Sequence, residues 1–188
     1  MKTLVVYFSF TGNNRQLAEH LAACIGCDTC PVVEQKKRTA LTVILDMVFR
    51  RKPKIKPSDY TFSDYNHIIL VAPVWDSKVA NPMQTLIRRE KDFLSDYSFI
   101  SLCGYDRPGQ KDSLTKELSV LAGGPPKVVF ELKICERLPA AQKNDVKAIA
   151  DYQVTGDDFS AFEPQIREFL NNIIPLATAR DDKEPGLA

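Results

Sequence analysis

Apolar residues fall into five short runs along the chain, separated by stretches in which they recur every three or four positions. Leu4 to Phe8 and His67 to Ala72 (HIILVA) are rich in β-branched, aliphatic and aromatic residues and do not alternate with polar ones. That is the pattern of strands buried on both faces. The same signature, weaker, runs through Thr29 to Val33, Ser98 to Cys103 and Lys127 to Ile134, so five strands are predicted. Between them the period is helical. Leu17, Leu21, Cys24 and Ile25 share one helix face, as do Leu114, Leu118, Leu121 and Ala122. Asn81-Pro82 supplies an N-cap and a first-turn proline ahead of Met83, Leu86 and Ile87. Ser160 and Glu163 have capping-box spacing at the head of the stripe Phe162, Ile166, Phe169, Leu170 and Ile173.

Strands alternating with helices predict a parallel sheet with right-handed crossovers and helices on both faces, a doubly wound α/β domain. One such domain is expected over residues 1–175, followed by a flexible tail over 176–188 that has few apolar anchors. Residues 135–159 are the least legible. "KNDVKAIADY" suits a short helix and "QVTGDDF" a loop, so an excursion is expected after the fifth strand.

Charge and cysteine content change this picture little. Among 188 residues the net charge is +1. No uncharged apolar run approaches the roughly 18 residues of a membrane span, and the first run is too short for a signal-peptide core, so a cytoplasmic location is expected. Five cysteines without export signals point to reduced thiols rather than a disulfide framework. "CIGCDTC" has the C-x2-C-x2-C spacing of iron–sulfur proteins, but Pro31 follows Cys30 directly and no fourth thiolate continues the run. The simpler reading places Cys24 on the apolar face of the first helix, Gly26 at its stop and Cys30 in the second strand. His20 is expected in solvent and His67 on the surface, neither in a catalytic role. The charge distribution is more informative than its sum. Lys36, Lys37, Arg38, Arg50, Arg51, Lys52, Lys54 and Lys56 crowd around the apolar "ALTVILDMVF" with a single acid, Asp46. The segment reads as a crossover helix, with a lid, a homodimer contact or an anionic membrane surface as sharper alternatives for residues 36–57. Nucleic acid is not expected, because no aromatics are interleaved with the cations.

Doubly wound sheets bind ligands beyond the carboxyl ends of their strands, where the strand order reverses. There the first strand runs into "SFTGNN". Ser9 and Thr11 bring hydroxyls, Gly12 can take a positive φ, and Asn13 and Asn14 open a helix whose first amides have no intrahelical partner. Such a turn can hold phosphate, with Arg15 nearby, or serve only as a strand-to-helix turn capped by an Asn. After the third and fourth strands come Pro73-Val74-Trp75-Asp76 and Cys103-Gly104-Tyr105-Asp106. Three loops at one edge, two of them with aromatics, suit a flat conjugated ligand that carries a phosphate.

The same segments resemble the flavodoxin family. "VVYFSFTGNNRQLAEHLA" looks like its opening strand, phosphate loop and first helix, "YNHIILVAPVWDSKVANPMQTLI" like its third strand and flavin loop, and "YSFISLCGYD" like its fourth strand and second flavin loop. The resemblance covers residues 1 to about 134. It implies strand order 2-1-3-4-5 and FMN as cofactor. Ser9, Thr11, Gly12, Asn13 and Asn14 would then hold the phosphate, with Phe10 of the same loop also in the cofactor site. Pro73, Val74, Trp75 and Asp76 would lie on one side of the isoalloxazine, and Cys103, Gly104, Tyr105 and Asp106 on the other. Two departures stand out: the family's loop usually ends in Thr or Ser where this chain has Asn14, and its electron shuttles are strongly acidic. The implied activity is electron transfer through bound flavin, as a small reductase or carrier. Its partners would be a redox protein or small-molecule acceptor, with NAD(P)H as a candidate donor. The alternatives are an interaction module that has lost FMN and a quinone-linked oxidoreductase at a membrane surface.

Overall fold

The computed structural model describes residues 1–36, 39, 42, 45 and 51–173. The tail beyond Pro175 and, apart from Thr42 and Leu45, the helix expected across "ALTVILDMVF" lie outside these residues. Five parallel strands form one sheet: β1 (Thr3–Tyr7), β2 (Asp28–Pro31), β3 (His67–Val71), β6 (Tyr97–Cys103) and β7 (Val129–Lys133), in the order β2-β1-β3-β6-β7. These are the five predicted strands, and their order is the expected 2-1-3-4-5. A small antiparallel hairpin that the sequence reading missed, β4 (Val74–Trp75) with β5 (Lys78–Val79), lies between β3 and the next helix.

Helices α1 (Asn13–Ile25) and α5 (Gly156–Ile173) cover one face, and α2 (Asn81–Glu90) and α3 (Gln110–Ala122) the other. A short helix, α4 (Val146–Asp151), lies in the excursion after β7. Two buried clusters result, because alternate strand residues point to opposite faces. Leu4, Val6, Leu70 and Phe99 pack with Met83, Leu86, Leu114 and Leu118. Val5, Ile69, Ile100 and Leu132 pack with Leu17, Leu21, Phe162 and Phe169. This two-sided burial explains why the strand runs in the sequence do not alternate.

Several local expectations are corrected. Cys24 is exposed, because the buried face of α1 runs through Leu17, Ala18, Leu21 and Ala22. Gly26 does end that helix, in the left-handed region at φ 64°. Asn81 is the first residue of α2, behind Ala80 as N-cap, and its amide donates to the Arg51 carbonyl at 2.9 Å instead of capping. Helix α5 begins four residues before Ser160. Thr155 precedes it and donates its N–H to the Asp158 carboxylate at 2.8 Å, which is the reciprocal half of a capping box one turn upstream.

His67 is fully buried instead of at the surface. Its Nδ1 lies 2.8 Å from Asp96 Oδ1, while Nε2 is buried with no hydrogen-bond partner. Burial pushes the imidazole below its ordinary value, with the Asp96 contact acting in the opposite direction. The unfolded chain, with a His near the ordinary 6.5, therefore takes up a proton first as the pH falls. The stability that goes with the neutral ring is present above that value and is lost between it and the lower folded-state pKa. Urea unfolding is expected to show lower stability at about pH 5.5 than at about pH 7.5, and His67→Leu should flatten this dependence.

Candidate functional site

The loops after β1, β3 and β6 leave neighbouring strands at the same sheet edge. After β1 the backbone turns through Gly12, at φ 103°, into α1. A side chain there would be strained, although a Cβ would meet nothing nearer than Gln153 Oε1 at 3.9 Å. The Gly12 N–H donates to Ser9 Oγ at 3.0 Å, which closes the loop. The N-cap is Gly12 and no described side chain caps α1, so its first-turn amides keep their donor capacity, with the positive end of the helix dipole behind them.

Asn13 and Asn14, both buried, use their side chains elsewhere. Asn14 Nδ2 donates to the Leu102 carbonyl at 3.1 Å, and the Leu102 N–H donates to Asn14 Oδ1 at 3.0 Å. This pair of hydrogen bonds ties the head of α1 to the end of β6. Asn13 does the same for the excursion, donating to Tyr152 O at 2.8 Å and accepting from the Val154 N–H at 3.1 Å. Toward a ligand the two residues can therefore offer only their backbone.

Trp75 occupies the centre of the edge. Its ring meets Phe8 edge-on at 5.9 Å and Phe10 at 6.4 Å. On one side lies a cavity of about 370 Å³, lined by Val74, Trp75, Asp76 and Ser77 from one loop and Cys103, Gly104, Tyr105 and Arg107 from the other, with Gln110 and Val146. Its size lies within the roughly 300–1,000 Å³ of small-molecule sites. Among the described residues the buried Tyr105 hydroxyl has no hydrogen-bond partner. Burial pushes the Cys103 thiol up to about 12, so it is a neutral wall and not a nucleophile. On the other side of Phe10 lies a hollow of about 830 Å³, lined by Ser9 to Gly12, Arg15, Lys36 and Lys56 among others. The two lysines are brought there by the antiparallel bridge between Glu34 and Ile55. Asp106 and Pro73 line neither cavity: Asp106 pairs with Lys133 at 2.7 Å, and the Pro73 carbonyl accepts from the Ala80 N–H at 3.0 Å to close the hairpin base.

The excursion after β7 contributes what the sequence reading did not assign. Ile149 of α4 lies against Gly104, where an added Cβ would come within 2.8 Å of its Cγ2, so any side chain there would require Ile149 to move. The whole segment is anchored by Asp158, whose carboxylate accepts from Arg137 Nε at 3.0 Å, Tyr152 Oη at 2.8 Å and the Thr155 N–H at 2.8 Å. These donors hold its pKa below the ordinary carboxylate value against the effect of burial. Asp158→Ala is expected to cost about 2 kcal/mol in urea unfolding, since water can reach the half-exposed Arg137 it leaves behind.

Burial raises the thiols of Cys24, Cys27 and Cys30 above their ordinary value. Among the described residues no group of His, Cys, Asp or Glu is arranged to hold a metal ion. No described helix is long and apolar enough to cross a membrane.

Sheet order, crossover helices and the position of the ligand edge define a flavodoxin-like α/β fold. No protein-family model matches the chain, and no curated protein matches it in sequence. Solved structures do match. One from Bacteroides eggerthii DSM 20697, assigned as a flavoprotein, aligns over 92% of this chain and 97% of its own, at TM-score 0.64 and 18% identity. A flavoprotein from Lactobacillus acidophilus NCFM, in complex with FMN, covers 69% of this chain and 92% of its own, at TM-score 0.58 and 20% identity. Oxidised flavodoxin 1 from Bacillus cereus aligns over 91% and 98%, at TM-score 0.50 and 14% identity.

Proposed function

We propose that this protein binds FMN across the carboxyl edge of its sheet and passes electrons through it. One observation carries the reading: a phosphate-type loop and two aromatic-bearing loops converge around Trp75, with a cavity of suitable size between the last two. The donor set supports it. Uncapped first-turn amides of α1 and the Ser9 and Thr11 hydroxyls suit a phosphate, with Arg15 at the rim. Trp75 and Tyr105 both line the cavity and bring aromatic rings to it, which suits a flat conjugated ligand. When bound, the flavin supplies the redox chemistry. The chain's residues orient it, exclude water and fix the local charge.

The electron partner follows from charge. The cations Arg15, Lys36 and Lys56 outnumber the one acid, Glu34, in the lining of the hollow beside the phosphate loop. They favour an anionic acceptor or an acidic redox protein, and they would also attract the phosphates of NAD(P)H as donor. FMN-loaded protein, photoreduced without oxygen, tests this. Reoxidation by anionic ferricyanide should outpace reoxidation by cationic cobalt hexammine after each rate is divided by that acceptor's rate with free reduced FMN, and added salt should narrow the gap. A flavin that resists reduction, or a corrected rate indifferent to acceptor charge, would contradict the proposal.

A further inference from the structure

The turn that carries Trp75 lacks the glycine that such turns usually hold at their second central position, where this chain has Ser77. Asp76 and Ser77 both lie in the left-handed region, at φ 49° and 57°. That is the geometry of a two-residue type I′ hairpin turn, for which Asn-Gly is the usual solution. Side chains there are strained, and such strain persists only where the surroundings over-determine it. Two-residue strands cannot do so alone. The hold comes from α3 and β7. Ser77 Oγ donates to Gln110 Oε1 at 3.2 Å, and Gln110 Nε2 donates to the Glu131 carboxylate. An ionised carboxylate can only accept, so Glu131 fixes which end of the Gln110 amide faces Ser77. Gln110 is 5% exposed, so water does not compete readily for these bonds. Further along, the Val79 N–H donates to Glu117 Oε2 at 2.8 Å, so α3 grips the hairpin twice. The exposed Arg107–Asp76 pair, at 3.6 Å, adds little.

We propose that Gln110, oriented by Glu131, is a positioning residue that holds the Asp76-Ser77 turn left-handed and so fixes Trp75 as a wall of the ligand cavity. The ligand in question rests on the flavin reading above; the clamp itself does not. Trp75 is the only tryptophan, so its fluorescence reports the turn without any flavin present. Four proteins decide the matter: wild type, Gln110→Ala, Asp76→Asn/Ser77→Gly, and the combination. In flavin-free protein, Gln110→Ala should shift Trp75 emission to the red and raise its quenching by acrylamide, and FMN affinity should fall roughly tenfold. An Asn-Gly turn forms without strain, so in that background the same substitution should change either readout by less than about twofold. Equal losses in both backgrounds would make Gln110 a buried polar residue and nothing more, and would overturn the proposal. So would unchanged emission in Gln110→Ala. If that variant fails to fold, Ser77→Ala removes only the clamped hydroxyl and should give the same red shift, and an unshifted spectrum would again overturn it. Failure of wild type to bind FMN would sink the flavin reading and leave the fluorescence comparison to decide the clamp.

Discussion

Asn14→Ala is expected to lower stability by about 3–4 kcal/mol. The substitution strips partners from both the N–H and the carbonyl of Leu102, in a place where Asn14 is only 4% exposed and water enters with difficulty. For a chain of this size the midpoint of thermal unfolding should fall by roughly 6–16 °C. A serine hydroxyl can both donate and accept, but it is shorter than the amide and does not span both Leu102 groups, so Asn14→Ser should recover part of the loss. A shift below about 1 kcal/mol for the alanine variant would mean that the α1–β6 tie is not what holds the loop. Asn14 is where this chain departs from the usual loop, and its side chain has a structural task that a shorter one could not perform. The phosphate would be met by amides, hydroxyls and Arg15 instead.

Trp75→Ala is expected to weaken FMN binding by roughly 10- to 100-fold, the range for removing one aromatic from a stack. It removes a cavity wall and also the partner against which Phe8 and Phe10 pack edge-on. Flavin fluorescence should rise in the loaded variant, because the quenching ring is gone. An unchanged dissociation constant and unchanged flavin emission would mean that Trp75 does not touch the ligand.

The sheet was legible because its strands are buried on both faces and so appear as unbroken apolar runs, and because five of them alternate with helical periods. That three loops leave the sheet at one edge was legible because they follow the ends of neighbouring parallel strands. The clamp was not. Gln110 sits at the start of α3, where it reads as a surface polar residue, and only the sheet brings Glu131 beneath it. The hairpin was hidden for a related reason: Asp-Ser carries no Gly to mark a left-handed turn, and two-residue strands leave no period. His67 opens its strand among polar neighbours and looked exposed, yet the partner that lets it be buried, Asp96, comes from just ahead of the next strand in the sheet. Around Gly156 the glycine suggested a break, whereas Thr155 and Asp158 begin a helix there. In each case a local signal was overruled by a contact distant in sequence or by an unusual cap.

Titrating flavin-free protein with FMN while following Trp75 emission tests the central claim most directly. The expected result is a saturable quench with a dissociation constant in the micromolar range or below, weaker for riboflavin, which lacks the phosphate that Ser9 to Gly12 would hold under the proposal. Protein that stays colourless, with no quench at about 100 μM FMN, would contradict the account and leave a flavodoxin-like fold serving as an interaction module.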